Sequence, residues 1–280
     1  MLGKDLVPAF SGHDVTSLGS QSADLRNAQR VLQTVQTVKP AWIVLSAAYT
    51  DVDGCETNPE HAFAVNRDGA VHVAQAAATT KSRLLFISSD YVFDGQKLTP
   101  YEVDDACNPI NVYGRSKAEA EVKLLELVPD CCVVRTSWLF GAGGKCFPAT
   151  ILQLAKTRPE LRVVDDQRGC PTYTVDLARA IAGLVSQQAS GIIHATNNGN
   201  CSWFEFAKTI LDLEQQSVAV TPTTSAEFPR PARRPSNSVL SPSSLHAHGI
   251  KLPSWRDALA AYLHQRQGQI HTSDIHKTLS

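Results

Sequence analysis

The spacing in Tyr113-Gly114-Arg115-Ser116-Lys117 puts a phenol and an ammonium at i and i+4, on one face of a helix. An ammonium beside a phenol favours the phenolate. It lowers a pKa of about 10 and makes the phenol a usable acid near neutrality. The pair alone is not specific: six tyrosines and eleven lysines produce a Tyr-x-x-x-Lys by chance in roughly one such chain in four. Its position says more. Ser88-Ser89-Asp90-Tyr91-Val92-Phe93 closes an apolar run that begins at Arg83, and Ser89 precedes Tyr113 by 24 residues. With that run as a strand and residues 112–127 as the next helix, hydroxyl, phenol and ammonium meet at the carboxyl edge of a sheet, where ligands of α/β folds bind. Such a group can pass a proton to or from a carbonyl oxygen. Ser89 on its own reads equally as the end of a strand and the start of a turn.

A second cluster is Pro229-Arg230-Pro231-Ala232-Arg233-Arg234-Pro235, within the Pro/Ser/Thr/Arg-rich residues 221–242. It reads either as a solvated loop or as three guanidiniums on a stiffened backbone that could grip phosphates bidentately.

The elements that must position these groups follow from the hydrophobic pattern. Strands are predicted at residues 14–18, 42–47, 83–88, 132–136, 161–164 and 191–195. Helices are predicted at 24–38, 59–79, 112–127, 147–156 and 175–187. Continuous apolar runs such as Trp42-Ile43-Val44-Leu45 and Leu84-Leu85-Phe86-Ile87 suit strands covered on both faces. Strict alternation of strand and helix gives an α/β fold, a doubly wound parallel (Rossmann-type) sheet with right-handed crossovers. Beyond residue 196 the rhythm weakens. Ser202 and Glu205 form a capping box for a helix to Leu213, and a last helix starts near Ser254. The reading assigns residues 1–145 to a dinucleotide-binding domain. Residues 146–280 form mostly a smaller substrate domain, with about 172–196 returning to the sheet.

Composition limits the partners. Twenty-six basic against 27 acidic residues give a net charge of −1, so nucleic acid and anionic membrane have no electrostatic footprint to meet. Apolar stretches fall far short of the roughly 20 residues needed to cross a bilayer, and no signal-peptide layout is present, so the expected location is the cytoplasm. Seven cysteines without a C-x-x-C pair argue against a disulfide framework and a structural zinc site. The nine histidines show no metal-ligand spacing, His246-x-His248 being the nearest.

Further segments narrow the reading: Ala47-Ala48-Tyr49-Thr50-Asp51-Val52-Asp53 with Glu56, Asn111-Val112-Tyr113-Gly114, Arg135-Thr136-Ser137-Trp138-Leu139-Phe140, Asp166-Gln167-Arg168-Gly169-Cys170-Pro171-Thr172, and Pro231 to Ser238. With Ser89, Tyr113 and Lys117 they resemble the dTDP-4-dehydrorhamnose reductase family of extended short-chain dehydrogenase/reductases, nearly end to end. The resemblance implies reduction of a dTDP-linked 4-keto sugar in dTDP-rhamnose biosynthesis. A nicotinamide cofactor would deliver hydride to C4, with Tyr113 as proton donor. Lys117 would lower the phenol's pKa and bond the nicotinamide ribose, and Ser89 would orient the keto oxygen. Ser89, Asp90 and Trp138 correspond to contacts with the sugar nucleotide, and Arg233 and Arg234 to a pyrophosphate grip. Cofactor contacts correspond to Met1 and Leu2 in the remnant of a glycine turn, Asp24 and Leu25 at adenine, and Ala48, Tyr49 and Thr50 along the dinucleotide. Two alternatives stand beside it: a non-catalytic NADP-binding subunit like the regulatory subunit of methionine adenosyltransferase, and a reductase or epimerase acting on another nucleotide sugar.

The chain departs from that pattern at its start. Met1-Leu2-Gly3 falls inside the turn that in the resembled family follows a first strand, with a helix apparent over residues 4–10. The expectation is a sheet missing a middle strand, from a translation start assigned too far downstream or in a truncated homologue. The two neighbours of the missing strand would then stand about 9–10 Å apart with unpaired ladder groups. No acidic residue follows Leu18 until Asp24, which leaves room for a 2′-phosphate and favours NADPH over NADH. Some members use magnesium at a dimer contact through glutamates. Val175 stands at one of those positions, so no metal ligand is assigned, and a homodimer is the assembly in view.

Overall fold

The computed structural model describes residues 1–278, with side chains through residue 267, so the last two residues of the expected substrate domain lie outside the described residues. Four strands make a wholly parallel sheet in the order Trp42–Leu45, Arg83–Ser89, Cys132–Thr136, Gly191–His194. Alternate residues of the middle strands serve two cores. On one face Leu84, Phe86 and Val133 pack against Val73 and Ala77 of helix Gly69–Thr80 and Leu124 of helix Val112–Leu127. On the other, Leu85, Ile87 and Val134 meet Leu2 and Leu6 of helix Leu2–Ala9 and Leu177 and Ile181 of helix Thr174–Ser186. Helices on both faces explain why these strands read as unbroken apolar runs rather than alternating ones.

A separate core lies beyond the sheet. Helices Phe147–Ala155, Trp203–Leu213 and Trp255–Thr278 surround Phe140, Ile151, Phe206, Leu259 and Tyr262. The strand expected at 161–164 is here, as Glu160–Val164, paired in parallel with Ala219–Thr223. Ser202 and Glu205 form both bonds of the capping box. Among the described residues no helix is long and apolar enough to cross a membrane.

Several expectations are corrected. Residues 14–18 form no strand: Val15 is 41% and Leu18 48% exposed, and among the described residues nothing pairs with them. The expected gap between two strands is therefore not formed; the four strands are contiguous, and Trp42–Leu45 is the sheet's edge. The helix predicted from residue 24 begins at Ala28, because the Asn27 side chain accepts the Arg30 N–H and caps it there. The helix predicted over 59–79 is three pieces, Pro59–Phe63, a π-helical turn Ala64–Asp68 and Gly69–Thr80. Part of the presumed loop 221–242 is strand, through Thr223. Helix Val52–Thr57 and helix Ser243–Ala247 had no periodic signal.

Candidate active site

Ser89 is the last residue of strand Arg83–Ser89 and runs into the 3₁₀ turn Asp90–Val92. Tyr113 is the second residue of helix Val112–Leu127, whose N-cap Asn111 accepts the Gly114 N–H at 2.8 Å. The helix can reach the strand end only because residue 114 is glycine, since a Cβ there would lie 1.9 Å from the Tyr91 carbonyl oxygen. Glu56 bonds the Val112 N–H at 2.7 Å, adding a carboxylate to the same helix start.

The electrostatics differ from the sequence expectation. Burial pushes the Tyr113 phenol above its ordinary value, with the Ser89 hydroxyl opposing, and Lys117 does not offset it. The reason lies in Lys117 itself. It is buried, its ammonium lies 3.9 Å over the Phe86 ring, and burial lowers its pKa to about 7 with Glu121 opposing. Burial disfavours the ammonium, so Lys117 gives a phenolate little support. The result is a neutral phenol, the form that donates a proton.

Asp90, 3% exposed, collects three hydroxyls: Ser89 on Oδ1 at 2.9 Å, Ser137 on Oδ2 at 3.1 Å and Ser238 on Oδ2 at 2.5 Å. Burial raises its pKa from 3.8 to about 6, against the lowering by the Ser238, Ser89 and Ser137 bonds. An acid whose folded pKa is raised contributes stability below its unfolded pKa and loses it as pH rises through the folded one. Asp90→Asn removes that loss. We expect it to be more stable than the unsubstituted protein at pH 7.5 by up to about 3 kcal/mol, with the difference vanishing toward pH 4. Urea titrations of both proteins at the two pH values check this; an equal difference at both shows that Asp90 does not titrate in that window.

Trp138 sits at φ +46°, a left-handed backbone that non-glycine residues avoid. It is kept there by a stack on Trp203, ring centroids 3.5 Å apart and 6° from parallel, and by Gly169, where a Cβ would lie 2.4 Å from its indole. Strain of this kind clusters at ligand sites.

The arginine segment crosses the same end of the sheet. Ser238 bonds Asp90, Ser236 Oγ donates to the Gly95 carbonyl, and Asn111 Nδ2 donates to the Arg233 carbonyl at 2.8 Å. The side chain of Arg233 is exposed, whereas Arg234 turns in to Asp53. The two arginines are thus brought to one strap but do not face the same way.

On the far side, Asn66 of the π-helical turn accepts the Tyr49 N–H at 2.7 Å and donates to the Tyr49 carbonyl and to Ser116 Oγ. It joins the Ala48–Tyr49–Thr50 loop to the helix of Tyr113. Gly3 lies close to Ser46, so the start of helix Leu2–Ala9 stands at the carboxyl end of strand Trp42–Leu45. Leu2 is spent on the core and Met1 lies against Gly144, which leaves their backbone rather than their side chains to meet a ligand. Asp24 is exposed and paired with Arg26, which holds its carboxyl at about 2, while Leu25 packs on Gly69. These residues suit a dinucleotide. A helix start offers free N–H groups, and Asn66 pins the 48–50 loop at Tyr49. No group of three or more metal-ligating side chains occurs among the described residues.

Sequence reasoning missed Asn66, Ser137, Ser238 and Glu121 as parts of the site. A buried polar residue inside an apolar helical pattern was the available signal for Asn66 and Glu121; the two serines carried none.

Known proteins match most of the chain. Residues 1–267 match the RmlD substrate binding domain family. The chain is 39% identical over 257 residues to dTDP-4-dehydrorhamnose reductase of Sinorhizobium fredii, covering 88% of this chain and 87% of that protein. It is 38% identical to the spore coat polysaccharide biosynthesis protein SpsK of Bacillus subtilis, covering 91% and 90%. The crystal structure of dTDP-4-dehydrorhamnose reductase from Bacillus anthracis in complex with NADP superposes with a TM-score of 0.92 at 37% identity, over 94% of this chain and 95% of that one. UDP-glucose 4-epimerase of Thermus thermophilus, at 19% identity and a TM-score of 0.77, shares the fold.

Proposed function

Because the chain belongs to the RmlD substrate binding domain family, we propose that it is an NADPH-dependent oxidoreductase that converts dTDP-4-dehydro-L-rhamnose to dTDP-L-rhamnose. The observation that carries this reading is the placement of Ser89, at the end of its strand, and Tyr113, at the start of the next helix, at the carboxyl edge of the sheet, with the phenol pushed up by burial and so neutral. Reducing a ketone needs a proton donor at the oxygen, whereas oxidising an alcohol needs a base there.

NADPH supplies the hydride for sugar C4 when bound. Ser89 orients the keto oxygen by hydrogen bonding. Tyr113 donates its phenolic proton to that oxygen as negative charge develops. Lys117, one helical turn along, would return a proton to the phenolate this leaves on Tyr113 and would donate to ribose hydroxyls of the dinucleotide. Asp90 accepts a sugar hydroxyl, and the strained Trp138 ring forms a flat wall for the sugar. Arg233 and Arg234 take the diphosphate. On the cofactor side, Asp24 and Leu25 border adenine, Ala48, Tyr49 and Thr50 run along the dinucleotide, and Met1 and Leu2 meet its pyrophosphate through their backbone. Residues 1–145 serve mainly the dinucleotide and 146–280 mostly the substrate. A cytoplasmic location and a homodimer belong to the same reading.

Loss of NADPH absorbance on adding dTDP-4-dehydro-L-rhamnose tests it. Consumption of one NADPH per dTDP-L-rhamnose formed supports the reading. Binding of NADPH without turnover supports a regulatory role instead, and interconversion of a UDP-hexose by protein purified with tightly held NAD supports an epimerase.

A further inference from the structure

One carboxylate organises the whole arginine strap. Asp53 Oδ1 accepts the Ala232 N–H at 3.1 Å and Arg234 Nη1, and its Oδ2 accepts Arg230 Nε at 2.9 Å and Arg230 Nη2. Asp53 and Arg234 are largely buried, at 19% and 15% side-chain exposure. A lone exposed ion pair contributes little. This carboxylate instead binds two guanidiniums and a backbone N–H at once, and those three donors span one turn of the strap. Arg234–Asp53, Arg230–Asp53 and Ala232–Asp53 therefore fix the backbone on both sides of Arg233. The strap is pinned again by Asn111 at the Arg233 carbonyl and by Pro235 against Gly95, where a Cβ would lie 2.5 Å from the proline ring. Asp53 lies in helix Val52–Thr57, immediately after the Ala48–Tyr49–Thr50 loop.

Charge completes the argument. Arg230, Arg233 and Arg234 against Asp53 leave an excess of two positive charges, the match for a doubly charged pyrophosphate diester. The carboxylate does occupy donors that phosphate could use. Its benefit must come from orientation.

We propose that Asp53 is a positioning residue for the substrate's diphosphate: by holding Arg230, Arg234 and the Ala232 N–H it sets the strap so that the exposed Arg233 and the remaining donors of Arg234 meet the two phosphates. The inference rests on the reductase reading above and adds a residue that does not touch the reacting atoms.

The test compares Asp53→Asn with the unsubstituted full-length protein by calorimetric titration of dTDP, thymidine and NADPH, with steady-state kinetics on dTDP-4-dehydro-L-rhamnose. The asparagine keeps size and one acceptor but loses the charge that holds two guanidiniums. We expect dTDP to bind about 10-fold to 100-fold more weakly, by analogy with the loss of a group that orients a metal ligand. Thymidine and NADPH should bind within about twofold of the unsubstituted protein, and KM for the sugar nucleotide should rise with kcat nearly kept. A merely structural role would weaken NADPH as well, or lower kcat with KM, and would overturn the proposal. Unchanged dTDP affinity overturns it; tighter dTDP binding overturns it too, by showing that Asp53 only competes for the arginines. If the unsubstituted protein takes NADPH but not dTDP, the substrate reading itself fails and this inference with it. If it takes dTDP and Asp53→Asn does so equally, only this inference fails.

Discussion

Tyr113→Phe is expected to lower kcat by roughly 10²-fold to 10⁴-fold, the usual contribution of a positioned general acid, with NADPH affinity within about twofold of the unsubstituted protein. The substitution removes one oxygen from a half-buried ring and leaves the helix start intact, because the Asn111 amide oxygen and the Glu56 carboxylate accept the Gly114 and Val112 N–H groups. The ring's edge-to-face contact with Tyr91, centroids 6.0 Å apart, survives as well. What is lost is the phenolic proton. Single-turnover reduction with saturating NADPH is the measurement. A loss of less than about tenfold would mean that the proton reaches the substrate from another group, and buried Asp90, hydrogen-bonded to Ser89, would be the next residue to replace.

The second large effect is on stability. Glu121 accepts Arg135 Nε and Nη2, the latter at 2.7 Å, and the Ser88 hydroxyl, with the two charged side chains 3% and 2% exposed. Removing one partner of a buried pair strands the other charge away from water. Glu121→Leu is expected to cost about 3–5 kcal/mol in urea unfolding. Arg135 retains its bonds to the Val103 carbonyl and Cys107, which do not neutralise it. The combined Glu121→Leu/Arg135→Met protein should recover most of the loss, because no unpaired charge remains. The single variant also carries a kinetic sign. Glu121 is the group that raises the Lys117 pKa against burial, so without it Lys117 should titrate below its present value of about 7. A single-variant cost under about 1 kcal/mol would show that the pair is solvated in solution.

The sheet was legible because its strands are covered on both faces: Leu84-Leu85-Phe86-Ile87 is apolar at every position, and each residue meets one core or the other. The 42–47 run was legible for the same reason but closes at Leu45, two residues early. Local pattern cannot report whether a strand has a neighbour. Residues 14–18 carry adjacent β-branched Val15 and Thr16 but pair with nothing described, and Val15 and Leu18 remain exposed. Likewise the apolar period over residues 59–79 is that of a helix, yet the turn at Ala64–Asp68 is wound one residue wider, and this brings Asn66 under Tyr49 and Ser116. Such π-turns are invisible to a 3.6-residue period and recur at functional sites. Ser89, Tyr113 and Lys117 could be read because one strand–helix unit carries all three. Ser137 and Ser238 lie 47 and 148 residues from the Asp90 they bond, and only tertiary structure joins them. The electrostatics reversed for a similar reason. Helical spacing predicts that Lys117 and Tyr113 share a helix face but not that Lys117 is buried and Tyr113 half-buried, and burial sets the direction of both pKa shifts.

The central claim is hydride delivery to sugar C4 with proton donation at the oxygen it carries. Reduction of dTDP-4-dehydro-L-rhamnose with NADPH deuterated at the transferred position, followed by NMR of the product, tests it most directly. The account predicts dTDP-L-rhamnose with a single deuterium at C4 and none elsewhere on the ring. Product without deuterium at C4, or deuterium at another ring carbon, would contradict it.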